Sequence, residues 1–133
     1  MKNPFVSLIL ASLCAVAAFA AEPAAPASAS APVVELATFR LKTGASRAEL
    51  LAASPAVDRF LASCPGFVSR TLVAENEDTF TDIVVWRSEA DASAALKKHE
   101  QEPDACKDYL CLMREDGGTM RHLPVLHVTP ALR

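Results

Sequence analysis

Asp82 and Trp86 stand four residues apart in a strongly β-prone run. In an extended segment that spacing puts both side chains on one face. A carboxylate beside an indole suits a pocket that holds an aromatic compound and takes a proton from it. The plainer reading of Trp86 is core or subunit-face packing. For Asp82 it is an ion pair with Arg40, since neither charge is stable when buried alone. Thr38, Thr71 and Val84 are expected on the same sheet face as Trp86 and complete a candidate binding surface. His127, in the last apolar run, is the histidine expected to reach a cavity, as packing or as a second proton-transfer group. His99 lies beside Lys97, Lys98 and Glu100 and is expected at a solvated helix end.

Other chemistries find little support. His99, His122 and His127 are scattered, and no pair has the i, i+4 spacing of a helix-borne zinc site, so no metal site is expected. There is no C-x-x-C pair for redox catalysis, no glycine-rich phosphate loop and no G-x-S-x-G elbow. With 13 Lys+Arg against 16 Asp+Glu and a net charge of −3, the chain lacks the basic excess of a nucleic-acid binder.

The elements that must position these residues fit in one small domain of a 133-residue chain. Residues 1–20 read as a secretory leader: Lys2 precedes an apolar run, and Ala18-Phe19-Ala20 offers small residues for cleavage after Ala20. The apolar run is shorter than the roughly 20 residues that span a bilayer. A periplasmic or secreted location is expected, with no membrane attachment after cleavage. Residues 21–32 are Ala, Pro and Ser with a single Glu, and read as a disordered tether. The domain is expected over residues 33–133.

Within it, residues 33–42 are a strand with Ala37, Phe39 and Leu41 on one face and Leu36, Thr38 and Arg40 on the other. Ser46 and Glu49 form a capping box ahead of Leu50, Val57, Phe60 and Leu61, and Pro55 predicts a kinked or two-piece helix. Residues 67–75 and 80–87 form a hairpin around a polar turn, symmetric pairing placing Val73 opposite Asp82, Thr71 opposite Val84 and Ser69 opposite Trp86. Ser88 starts a second helix, Pro103 a further helical piece to about Asp116, and residues 121–129 a last strand. Pro124 confines that strand to an edge or a bulge. The order β-α-β-β-α-β is the split-βαβ, ferredoxin-like α+β arrangement, an antiparallel sheet with both helices on one face. An uncovered face bearing Trp86 and Val84, with Val125 or His127, predicts a homodimer.

Three cysteines remain after the leader. In an oxidising compartment they predict one bridge and one leftover thiol. Cys106 and Cys111, five apart on a helix, would stand roughly 8 Å apart, out of disulfide reach. Both helices run the same way in this arrangement, so Cys64 is expected to bond Cys106 or Cys111.

The run from Asp82 to Ala90, a strand ending in Trp and followed by a polar pair and Glu-Ala at a helix start, resembles the antibiotic biosynthesis monooxygenase family of dimeric α/β barrels. Phe39 to Gly44 with the capped helix after it, and Pro65-Gly66-Phe67, match the same pattern. The resemblance implies two sheets packed face to face in a dimer, with a cavity between sheet and helices in each subunit. It implies oxygenation of a small aromatic or quinone-like compound without cofactor, the electron-rich substrate itself supplying electrons to oxygen. The haem-degrading members of the superfamily use an Asn on the first strand, a Trp and a His. Trp86 matches, but Ala37 occupies the Asn position and His99 lies beyond the His position, so haem degradation ranks low. Beside the oxygenase stands a second reading, a non-enzymatic periplasmic ligand-binding or structural dimer of the same fold.

Overall fold

The computed structural model describes residues 30–131. The leader, and the tether as far as residue 29, lie outside the described residues. The chain runs β1 (Val33–Arg40), α1 (Arg47–Ala62), β2 (Phe67–Ala74), β3 (Thr79–Trp86), α2 (Glu89–Gln101), α3 (Lys107–Leu110) and β4 (Thr119–Pro124). The strands form one antiparallel sheet in the order β2-β3-β1-β4, with the helices on one face. This is the ferredoxin-like α+β arrangement expected.

Local chemistry sets the helix starts. Ser46 Oγ accepts from the Glu49 N–H at 3.2 Å while the Ser46 N–H donates to the Glu49 carboxylate at 2.8 Å, the reciprocal capping box. Ser88 Oγ accepts from the Asp91 N–H at 3.0 Å. Of the kinked or two-piece helix that Pro55 predicts, the two-piece form is not what forms: α1 runs through Pro55 as one helix. Burying Leu50, Val57, Phe60 and Leu61 on the sheet outweighs one missing backbone bond. Gly66 (φ 83°) leads into β2, where a Cβ would collide with the Asp91 carboxyl of α2. Only glycine fits there.

The hairpin departs from the symmetric pairing by one residue. Asn76 Oδ1 accepts from the N–H groups of Asp78 and Thr79 at 3.1 and 2.9 Å, and the Glu75 N–H bonds the Thr79 carbonyl at 2.9 Å. That side-chain-stabilised turn pairs Leu72 with Asp82, Thr71 with Ile83 and Arg70 with Val84, and a bulge between Phe67 and Ser69 puts Phe67 opposite Trp86. A one-residue slip turns a strand over. Phe80, Asp82, Val84 and Trp86 therefore face the helices, not the open side, and all are buried. The open face instead carries Val34, Leu36, Thr38, Thr71, Ile83 and Val85.

Two other bounds differ from expectation. The helical piece expected over residues 103–116 is the four-residue α3 within turns. The last strand runs Thr119–Pro124, not over residues 121–129. It starts after the left-handed Gly117 (φ 79°) and stops at Pro124 on the sheet edge beside β1. Val125 makes one further bond, to the Pro32 carbonyl. No helix among the described residues is long and apolar enough to cross a membrane.

Candidate functional site

Between the sheet and the helices lies a cavity of about 490 Å³. Its walls are mainly apolar: Phe39 and Val84 from the sheet, Phe60 and Leu61 from α1, Ala92 and Leu96 from α2. That size suits a small organic molecule.

One part of the wall is a charged knot. Arg70, on β2, has a side chain only 5% exposed. Its Nε donates to Asp82 Oδ1 at 2.7 Å, its Nη1 to Ser54 Oγ at 2.6 Å and Asp58 Oδ1 at 2.8 Å, and its Nη2 to the Tyr109 hydroxyl at 2.9 Å. Tyr109 donates in turn to Asp82 Oδ2 at 2.7 Å. Burial opposes the Arg70 charge, but the bond to Asp82 and its charge win, so the guanidinium pKa is raised. Burial, reinforced by the neighbouring Asp82 charge, pushes the Tyr109 hydroxyl well above its usual range. The knot ties β2, β3, α1 and α3 together, and both Asp82 oxygens are already engaged.

Elsewhere two ring nitrogens are buried without a partner: Trp86 Nε1 and His99 Nε2. Both residues line the cavity. Trp86 is 1% exposed and lies edge-on to Phe67, and His99 lies edge-on to Phe60. Proteins rarely leave buried polar groups unpaired, so these nitrogens are available to a ligand.

A third polar group stands where β1 and β4 pair. Glu35 and His122 are register partners. His122 Nε2 bonds Glu35 Oε2 at 2.9 Å and its Nδ1 bonds Glu89 Oε1, on α2, at 2.8 Å. Burial works against a charged imidazole, but the bonds to Glu89 and Glu35 outweigh it, and its pKa is raised above 6.5. The carboxylates bond separate ring nitrogens, and no group among the described residues is arranged to hold a metal ion.

The residues singled out from sequence thus divide. Trp86, Val84 and Asp82 border the cavity; Thr38 also touches it, but its side chain lies on the open face, where its hydroxyl meets Thr81 Oγ1 at 2.7 Å. Thr71 is exposed on the open face. Arg40 does not reach Asp82. It meets Asp78 at 3.7 Å on the surface, because β1 places it opposite Thr79. His127 lies beyond β4, exposed and bonded to Thr129, so the histidine that enters the cavity is His99. Cys64, Cys106 and Cys111 are free thiols, not a bridge. Cys64 and Cys106 share the buried core, where burial pushes both thiols up, and Cys111 is exposed.

Sequence reading missed Glu35, Arg70, Tyr109 and His122. For Arg70 a signal existed. A lone arginine inside an otherwise uncharged strand, with Asp82 across the hairpin, is a buried-pair pattern.

No family model matches the sequence, and neither does any curated protein. Solved structures do match. SnoaB, a cofactor-independent oxygenase from Streptomyces nogalater, is 19% identical with a TM-score of 0.61, over 77% of this chain and 100% of that one. The fold is that of the antibiotic biosynthesis monooxygenases. ActVA-Orf6 of Streptomyces coelicolor, a monooxygenase in complex with nanaomycin D, is 17% identical with a TM-score of 0.55, over 76% of this chain and 94% of that one. The NE2512 protein of unknown function from Nitrosomonas europaea shares this fold at 12% identity and a TM-score of 0.57, over 79% and 99%.

Proposed function

We propose that the chain binds a small aromatic or quinone-like compound in the cavity between sheet and helices and oxygenates it without metal or flavin. One observation carries the reading. An apolar cavity of about 490 Å³ presents two buried, unpartnered ring nitrogens, those of Trp86 and His99, to whatever occupies it. An aromatic ring fits such walls, and ring oxygens would satisfy the nitrogens. The fold is shared with a cofactor-independent oxygenase, which supports the same reaction class.

The chemistry closes without an external reductant. An ionised phenol gives electrons to O₂, and a C–O bond forms at the ring. The O–O bond then breaks, one oxygen staying as a carbonyl and the other leaving as water. For a phenol with a free para position the products are a quinone and water. The protein binds and orients the ring, excludes water and manages protons.

We further assign export through the leader of residues 1–20 and function outside the cytoplasm. The working form is a homodimer built on the open face, where Val34, Leu36, Ile83 and Val85 form an unpartnered aliphatic patch.

The test is oxygen uptake with 1-naphthol, catechol and 1,4-naphthohydroquinone, with Trp86→Phe as the comparison. Turnover by the wild type and a tenfold or larger loss in the variant, which keeps an aromatic ring but no N–H, support the oxygenase. Saturable binding of 1-naphthol with no uptake on any compound supports the non-enzymatic ligand-binding dimer instead.

A further inference from the structure

Oxygenation of a phenol begins with loss of its hydroxyl proton, and the cavity wall holds few groups that can take it. Asp82 is engaged at both oxygens, by Arg70 and by Tyr109. Tyr109 and Cys106 are held in their protonated forms by burial. Arg70 and Arg114 are permanent cations, held by Asp82 and Asp58 and by Asp116. Glu35 and His99 remain. They differ in what lies behind them. His99 presents an unpartnered Nε2, with no carboxylate bonded to that nitrogen to carry a proton onward. Glu35 faces the cavity with a side chain 15% exposed, while its Oε2 meets His122 at 2.9 Å, leaving Oε1 for a ligand. His122 then meets Glu89 at 2.8 Å, and the Glu89 side chain is 60% exposed.

We propose that Glu35, His122 and Glu89 form a proton relay from the cavity to the surface, with Glu35 taking the proton of a ligand hydroxyl. This rests on the oxygenase reading above and names its acid–base residues. The ligand O–H bond breaks and a Glu35 O–H forms. With the imidazole neutral and protonated at Nδ1, Nε2 then receives that proton as the Nδ1 hydrogen passes to Glu89, which releases it to water. The net change is one proton moved from ligand to solvent. The ring ends protonated at Nε2 and returns to its starting tautomer by exchange with solvent. Glu35 is the catalytic residue of the three, while His122 and Glu89 act through it.

The relay needs the neutral ring, so turnover rises with pH through the titration of His122. The ionisable groups facing His122 are Glu35 from β1 and Glu89 from α2, and both favour its charged form. Removing the Glu89 charge therefore moves the rising limb to lower pH.

The experiment is oxygen uptake against pH on the full chain, using the best of the three aromatic compounds above. Fluorescence titration with 1-naphthol and a melting curve are recorded for each variant. Expected for Glu35→Gln is a loss of turnover of about a hundredfold or more with 1-naphthol affinity within threefold of wild type. For His122→Ala the expected loss is similar and is partly restored by imidazole in the buffer, which a merely structural role would not allow. Glu89→Gln removes the relay's outlet, so turnover falls, and the limb of what remains shifts downward. Folded Glu35→Gln with wild-type turnover overturns the relay and leaves the oxygenase standing. Loss of the limb in His99→Ala but not in Glu35→Gln overturns it in favour of His99. Absence of uptake by the wild type on all three compounds removes the oxygenase reading, and the relay with it.

Discussion

Two of the polar regions at the cavity wall are built on opposite principles. At the Arg70 knot a guanidinium that cannot lose its proton is shared among Asp82, Asp58, Ser54 and the Tyr109 hydroxyl, nearly out of solvent. At the Glu35–His122–Glu89 line the central group is an imidazole, which can gain and lose a proton, and the outer carboxylate meets water. The first region is permanent charge used for cohesion. The second is exchangeable charge used for transfer. A buried carboxylate is thus no guide to a catalytic base until its partners are known.

The largest expected effect breaks the knot. Arg70→Ala strands Asp82 as a buried charge and should destabilise the fold by about 3–5 kcal/mol, measured by denaturant unfolding. A loss under about 1 kcal/mol would show that the knot is not the structural end of the cavity. Tyr109→Phe removes one donor to Asp82 and one acceptor for Arg70 while keeping the ring. About 1–3 kcal/mol is expected by the same measurement at neutral pH.

His122 should give a smaller, pH-dependent effect. Its pKa is raised in the fold, so its stabilisation is fully present below its ordinary value of 6.5 and is lost as pH rises through the elevated one. Melting curves of the wild type across that window should decline with pH, and those of His122→Gln should lack that component. An equal decline in both would place the titrating group elsewhere. The smallest effect belongs to the surface pair that replaced the expected Arg40–Asp82 bridge. Asp78→Ala removes a half-exposed contact of 3.7 Å to Arg40 and should cost no more than about 1 kcal/mol, to be read from the same unfolding curves.

Much of the fold was legible because its signals are local. The capping residues Ser46 and Ser88 act over three positions, and the alternation in β1 assigns Ala37, Phe39 and Leu41 to one face and Thr38 to the other. Pro124 marked an edge strand for want of an N–H. The site was less legible because it depends on register and on short elements. Asn76 bonding its own turn moved the hairpin by one residue, and that step carried Asp82, Val84 and Trp86 from the open face to the helix face. Tyr109 rides on a four-residue helix whose pattern is too brief to show which way it points. Cross-strand neighbours such as Glu35 and His122 are 87 residues apart in sequence, so no spacing rule links them.

By itself, then, the sequence determined the order of elements, the caps and breaks that bound them, and the aromatic character of the candidate site. Periodicity and end chemistry are written within a few residues of one another. Only the tertiary structure decided which face of β3 is buried, that Arg70 and not Arg40 meets Asp82, and that His99 and not His127 enters the cavity. Those outcomes depend on strand register and on where distant helices close over the sheet. There the cost of an unpaired buried charge selects among arrangements that look equivalent along the chain.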